Sequence, residues 1–164
     1  MKKYVIAAMV IITSFVISAG FTPARLTADA EVAYPEGYRM WTHVKTGLIG
    51  PANPNFKTSG GYHHIYANAK AMQGYTSGYF PEGSVLVFDV IDAKEQNGNT
   101  SEGSRKHIDV MVKDSLQYAA TGGWGYEEFG GDSHTNRILT TTVRTQCFTC
   151  HAKMNDKVFS EFRK

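Results

Sequence analysis

The two cysteines of this chain stand three residues apart, and a histidine directly follows the second: Cys147-Phe148-Thr149-Cys150-His151. On a helical turn, positions i, i+3 and i+4 share one face. A fold built around this pentapeptide must therefore present two thiols and an imidazole together. Thiols so placed can add to the two vinyl groups along one porphyrin edge, and the imidazole is then held beneath the iron as axial ligand. C-x-x-C-H is the attachment pattern of c-type haem. Three other uses of the pair compete. A structural zinc site takes four ligands, and distant histidines would have to supply what two cysteines cannot. A thioredoxin-like redox pair sits near a βαβ pattern, whereas only 14 residues follow Cys150. A local disulfide is compatible with an exported protein. The adjoining histidine, together with the export signal described next, favours haem c: one per chain, covalently held by Cys147 and Cys150, with His151 as axial ligand to the iron.

Lys2 and Lys3 precede an uncharged apolar run of 15 residues, 4–18. Small residues follow, with candidate cleavage positions after Gly20, Ala24 or Ala30. A basic start, a short apolar region and a small-residue cut are the order of a secretory signal peptide. The alternative is an uncleaved anchor; extended to Phe21 the stretch reaches 18 residues, the short limit of a span. Residues 1–30 are thus expected to be a signal peptide cut somewhere after 20 to 30, sending one domain, 31–164, to the periplasm. Taking Lys2, Lys3, Arg25 and Asp29 from 17 basic and 15 acidic residues leaves 14 of each. The expected mature domain is formally neutral. Nothing here makes a case for nucleic acid, which calls for a basic patch or stripe.

Beyond that segment the pattern alternates between strand and turn. Tyr38, Trp41 and Val44 recur every three residues and suggest a short amphipathic helix after Pro35-Glu36-Gly37. Polar and glycine-rich stretches at 46–61 and 96–104 suggest loops. Aromatic and β-branched residues suggest a strand over 62–67, and Asn68 is placed to cap a helix running to about Gly74. Strands are expected over 84–91, over 107–113 with Ile108, Val110 and Val112 on one face, and over 124–129. Residues 138–144 are β-branched and suggest a further strand or extended segment, and a terminal helix is expected from Cys147 onward. The sum is an α+β fold with helices at the two ends.

Motifs in a fixed order carry a more specific signal. They are Tyr34-Pro35-Glu36-Gly37-Tyr38-Arg39 with Trp41, then His64-Ile65-Tyr66, then Phe80-Pro81-Glu82-Gly83-Ser84-Val85, Val112-Lys113-Asp114-Ser115, Gly123-Trp124, and finally Cys147, Cys150 and His151. Together they resemble the cytochrome P-460 family, which includes cytochrome c′-beta, over about residues 34–151. The resemblance implies a predominantly antiparallel β-sheet with flanking helices, the C-terminal one carrying the haem motif, and a homodimer. It implies a high-spin haem with His151 on one side and an open or water-occupied distal site. Members bind nitric oxide, and some oxidise hydroxylamine. In those that oxidise it, a lysine a few residues before the Phe-Pro-acid-Gly turn is bonded to a haem meso carbon. Here that stretch is Gly74-Tyr75-Thr76-Ser77-Gly78. Lys70, ten residues before Phe80, does not match it, so the cross-link is not carried over. Phe80 matches a family position resembling part of the distal haem wall, against which stands ordinary packing of a turn aromatic.

The function expected is an exported mono-haem cytochrome that binds nitric oxide or a related small nitrogen species, transfers electrons to an unidentified redox partner protein, or both. The alternatives are a hydroxylamine-oxidising enzyme and an electron carrier whose sixth haem position is filled. Met40, Met72 and Met111 are candidates for that filling ligand, although core packing suits each; Met154 is too close to His151 to reach the opposite haem face. His63 and His64 point to opposite faces of a strand and so do not share a metal. His43, His107 and His134 have no partner spacing. If 124–129 is a strand, one of the adjacent Glu127 and Glu128 faces inward, where a carboxylate can act as a general base; against this stands a solvated strand edge, the reading preferred for such a pair. Arg39, Arg105 and Arg144 are candidates to pair with haem propionates.

Overall fold

The computed structural model describes residues 31–163; the expected signal peptide lies outside the described residues. Five strands, β1 (Thr42–Ile49), β2 (Gly61–Ala67), β3 (Val85–Gln96), β4 (Asn99–Lys113) and β5 (Trp124–Gly130), form one sheet in chain order. Every neighbouring pair is antiparallel. Three helices accompany them: α1 (Phe56–Ser59), α2 (Ala69–Ser77) and α3 (Thr141–His151). This is the expected α+β class.

Side chains alternate across a strand, and each face of this sheet carries its own core. On one face Val87, Ile108, Val110 and Phe129 pack with Tyr38, Tyr66 and Tyr118. On the other, Ala67, Leu86, Trp124 and Tyr126 meet Ala71 of α2, Phe80, and Cys147 and Phe148 of α3. Helix α2 starts where expected: Asn68 accepts from the Ala71 N–H at 2.8 Å and also takes the Val85 N–H, tying the cap to the head of β3. Gly74 is required by close approach, since a Cβ there would lie 2.3 Å from the Phe80 ring.

Five expectations are corrected. The three-residue spacing of Tyr38, Trp41 and Val44 is not a helix but a single 3₁₀ turn, Tyr38–Met40, followed by the edge strand β1. The stretch 46–61 is not one loop: β1 continues to Ile49, and α1 and the first residue of β2 occupy its end. The stretch 96–104 is a hairpin rather than a loop. Asn97 and Gly98, with φ of 52° and 76°, make the two-residue turn whose twist suits antiparallel strands, and Gln96 pairs with Asn99. Residues 138–144 are not a strand. After one bridge at Arg137, Thr140 caps α3 through the Val143 N–H. The helix therefore ends at His151 rather than running on from Cys147.

Candidate functional site

Helix α3 is held on the sheet by a buried ion cluster. Glu127 of β5 is 1% exposed. Its Oε2 accepts from Arg144 of α3 at 2.5 Å and from Arg137 at 3.1 Å, and its Oε1 takes the N–H groups of Glu128 and Leu139. This arrangement presents the last turn of α3 to the sheet face built from Ile65, Phe88, Asp109 and Glu128, which lie opposite one another across four strands. A cavity of about 460 Å³ opens there, lined by these four, by Leu86, Met111, Tyr126 and Val143, and by Cys147 and His151. Its size falls within the roughly 300–1,000 Å³ of ligand sites. A smaller cavity of about 330 Å³, between Tyr34, Trp41 and Tyr118, contains no residue of the pentapeptide.

Both cysteines are free thiols, Cys147 half-buried and Cys150 exposed. Burial, reinforced by the charges of Asp109 and Glu128, pushes the Cys147 thiol pKa up. The His151 ring lies 5.3 Å from that of Tyr126 and 4.7 Å from that of Phe159. Its Nδ1 lies 2.7 Å from the Lys157 carbonyl oxygen. A carbonyl only accepts, so Nδ1 carries the proton and the Nε2 lone pair is left available. Burial lowers the His151 pKa, partly offset by that bond, and the imidazole is neutral, as a metal ligand must be. Among the described residues, Tyr126 keeps a buried hydroxyl with no hydrogen-bond partner, an arrangement that costs free energy unless a guest supplies one. A mostly apolar slot with a thiol, a neutral imidazole and an unpaired hydroxyl suits a large apolar prosthetic group with a few polar substituents.

Opposite the motif the cavity is acidic. Asp109 and Glu128 face each other in register. His107 Nε2 lies 3.9 Å from Asp109, and its Nδ1 lies 3.8 Å from Glu128. Asp109 is 43% exposed, but the surface it exposes opens on apolar cavity walls. Burial accordingly pushes its pKa up to about 8, with the Glu128 charge adding to the effect; burial and then Glu127 raise Glu128 as well. An unfolded aspartate ionises near 3.8. The stability that Asp109 contributes is therefore complete below about 4 and lost as pH rises through about 8. Glu128 acts in the same direction, and His107, lowered chiefly by burial, in the opposite one. The thermal midpoint is expected to fall more steeply over this window in the wild type than in Asp109→Asn; parallel curves would contradict the assignment.

The other sequence candidates are dispersed. Phe80 is packed against Tyr75 and Trp124, with ring centroids at 5.1 and 5.8 Å. The aromatic rings lining the cavity are instead Phe88, Tyr126 and Phe159. Lys70 donates to the Glu82 carbonyl at 3.0 Å and does not line the cavity. Of the methionines, Met111 lines it, Met72 packs in the second core and Met40 is 91% exposed. Arg39 pairs with Glu102, Arg105 with Asp89 and Asp132, and Arg144 with Glu127. His63 bonds the Ser59 carbonyl, and His64 contacts Thr46 and Glu102. Phe88, Asp109 and Tyr126 were missed. The alternation that places Ile108, Val110 and Val112 on one face also puts Asp109 and Met111 on the other, and that was the available signal.

The family model described as Cytochrome P460 matches residues 35–160 of the chain. No curated protein matches it.

Proposed function

The chain belongs to the cytochrome P460 family, a family of haem-binding cytochromes, and we propose that it is an exported c-type cytochrome that takes nitric oxide or a related small, uncharged nitrogen ligand. Cys147 and Cys150 hold one haem covalently and His151 Nε2 holds its iron. Bound haem supplies a redox-active iron with a coordination position open to a diatomic ligand. The observation that carries the proposal is His151: a neutral imidazole inside the cavity, with Nδ1 committed to Lys157 and Nε2 free. The remaining residues act on what can enter. Ile65, Leu86 and Phe88 keep water out. Asp109 and Glu128 repel anions such as nitrite once ionised, while an uncharged diatomic pays no such cost. Optical titration of the ferrous protein is expected to show nitric oxide binding to a five-coordinate haem. A low-spin, six-coordinate ferrous spectrum without added ligand would contradict it and would instead favour an electron carrier, with Met111 as the sixth ligand.

The Asp109–Glu128 pair favours a second reading, oxidation of hydroxylamine. A carboxyl with a pKa near 8 exchanges protons near neutral pH and is suited to take them from an N–H substrate. Against it, no lysine occupies the cross-linking stretch. Incubating the ferric protein with hydroxylamine and an electron acceptor decides between the two. Turnover that Asp109→Asn diminishes would support the enzyme, and absence of turnover would dismiss it.

A further inference from the structure

Past the end of α3 the backbone takes an unusual course. Asp156 has φ 38° and Lys157 φ 63°, two consecutive non-glycine residues in the left-handed region. L-residues occupy that region at a cost and stay there only when their surroundings impose it. The restraint is visible in the side chain of Asp156. Its Oδ1 accepts from Lys113 Nζ at 2.8 Å and from Trp124 Nε1 at 3.3 Å, and its Oδ2 accepts from the Phe80 N–H at 2.7 Å. These donors come from β4, β5 and the turn after α2. Lys113 is 5% exposed, so its ammonium depends on this carboxylate for compensation. Asn155, the residue before it, donates to the Gly78 carbonyl at 2.9 Å. The segment is therefore bolted to the sheet side of the molecule at the residue before Lys157, whose carbonyl receives the His151 Nδ1 proton at 2.7 Å.

We infer that Asp156 is a positioning residue for the axial imidazole: by clamping the strained turn onto Lys113, Trp124 and the Phe80 amide, it aims the Lys157 carbonyl at His151 Nδ1 and so sets the orientation and donor strength of Nε2 toward the iron. The inference rests on the proposed role of His151 as iron ligand. A hydrogen bond to the remote ring nitrogen fixes the ring and raises the basicity of the ligating one. Its strength falls steeply with misalignment. With the clamp released, the turn relaxes out of the left-handed region and the carbonyl leaves Nδ1. Nε2 then donates less, which favours ferrous over ferric iron.

The test is resonance Raman spectroscopy of the ferrous holoprotein, reading the iron–histidine stretch, with the midpoint potential measured alongside. Asp156→Asn is expected to move the stretch to lower wavenumber and to raise the potential. Removing a negative charge near the haem would raise the potential by itself, so Asp156→Asn is compared with the charge-balanced pair Lys113→Gln and Asp156→Asn. The positioning role requires the Raman shift in both. If the single variant does not accumulate as folded protein, the charge-balanced pair decides alone. A wild-type band left unmoved by the pair would overturn the inference. Absence of an iron–histidine band in the wild type would overturn the ligand assignment beneath it.

Discussion

The His151→Gly protein is expected to lose its iron–histidine stretch and to recover an imidazole–iron stretch when free imidazole is supplied. His151 reaches the cavity between the rings of Tyr126 and Phe159, so its removal leaves a slot of imidazole size. The Lys157 carbonyl that receives the Nδ1 proton belongs to the backbone and stays in place to orient the guest. On the proposed function, Cys147 and Cys150 would still hold the haem when the ring is gone. The effect should therefore be a change of spin state and ligand affinity rather than loss of fold. Carbon monoxide binding to the ferrous variant, before and after imidazole, gives a second readout. A variant with an unaltered spectrum would show that the iron takes its nitrogen elsewhere.

A large effect on stability is expected at Glu127. Its carboxylate is shielded from water and receives Arg137, Arg144 and two backbone N–H groups. Glu127→Ala leaves the part-buried Arg144 without its counter-charge and Arg137 with only the exposed Glu31, 3.6 Å away. Breaking a buried ion cluster by removing one partner costs about 3–5 kcal/mol, lowering the thermal midpoint by on the order of 10–20 °C. Because Arg144 belongs to α3, the loss should also loosen the helix that carries the haem motif. Replacing the whole cluster with Glu127→Leu, Arg137→Met and Arg144→Met should recover part of that stability, since well-packed apolar residues can stand in for buried ions. Denaturant titration checks both. A single variant within about 0.5 kcal/mol of the wild type, the range of an ordinary surface substitution, would contradict the role.

The elements legible in the sequence are those whose local pattern agrees with their tertiary surroundings. Residues 62–67, 84–91, 107–113 and 124–129 lie within or just ahead of β2 to β5 because they carry the β-branched and aromatic residues of strands with a covered face. Asn68 announces α2 because its cap is a local bond. Strand β1 was missed because it is a sheet edge, exposed along most of its length, and so lacks the alternation that marks a half-buried strand. Thr141, Thr142 and Val143 favour extended backbone, yet the Thr140 cap and the Arg144–Glu127 pair draw them into α3, an ordinary case of tertiary context overriding propensity. The pentapeptide was legible as chemistry because its geometry is contained in one helical turn. The opposite wall was not, because Ile65, Phe88, Asp109 and Glu128 come from four strands and meet only through register.

The central claim is a covalent haem on the last turn of α3. The most direct test is the intact mass of the protein, matured in a host with a cytochrome-assembly system and measured under denaturing conditions, alongside Cys147→Ser with Cys150→Ser. The account predicts that the wild type carries the added mass of one haem, located by fragmentation to the peptide containing Cys147 and Cys150, and that the double variant carries none. A wild-type mass equal to that of the bare polypeptide, with its two sulfurs reduced or joined, would contradict it.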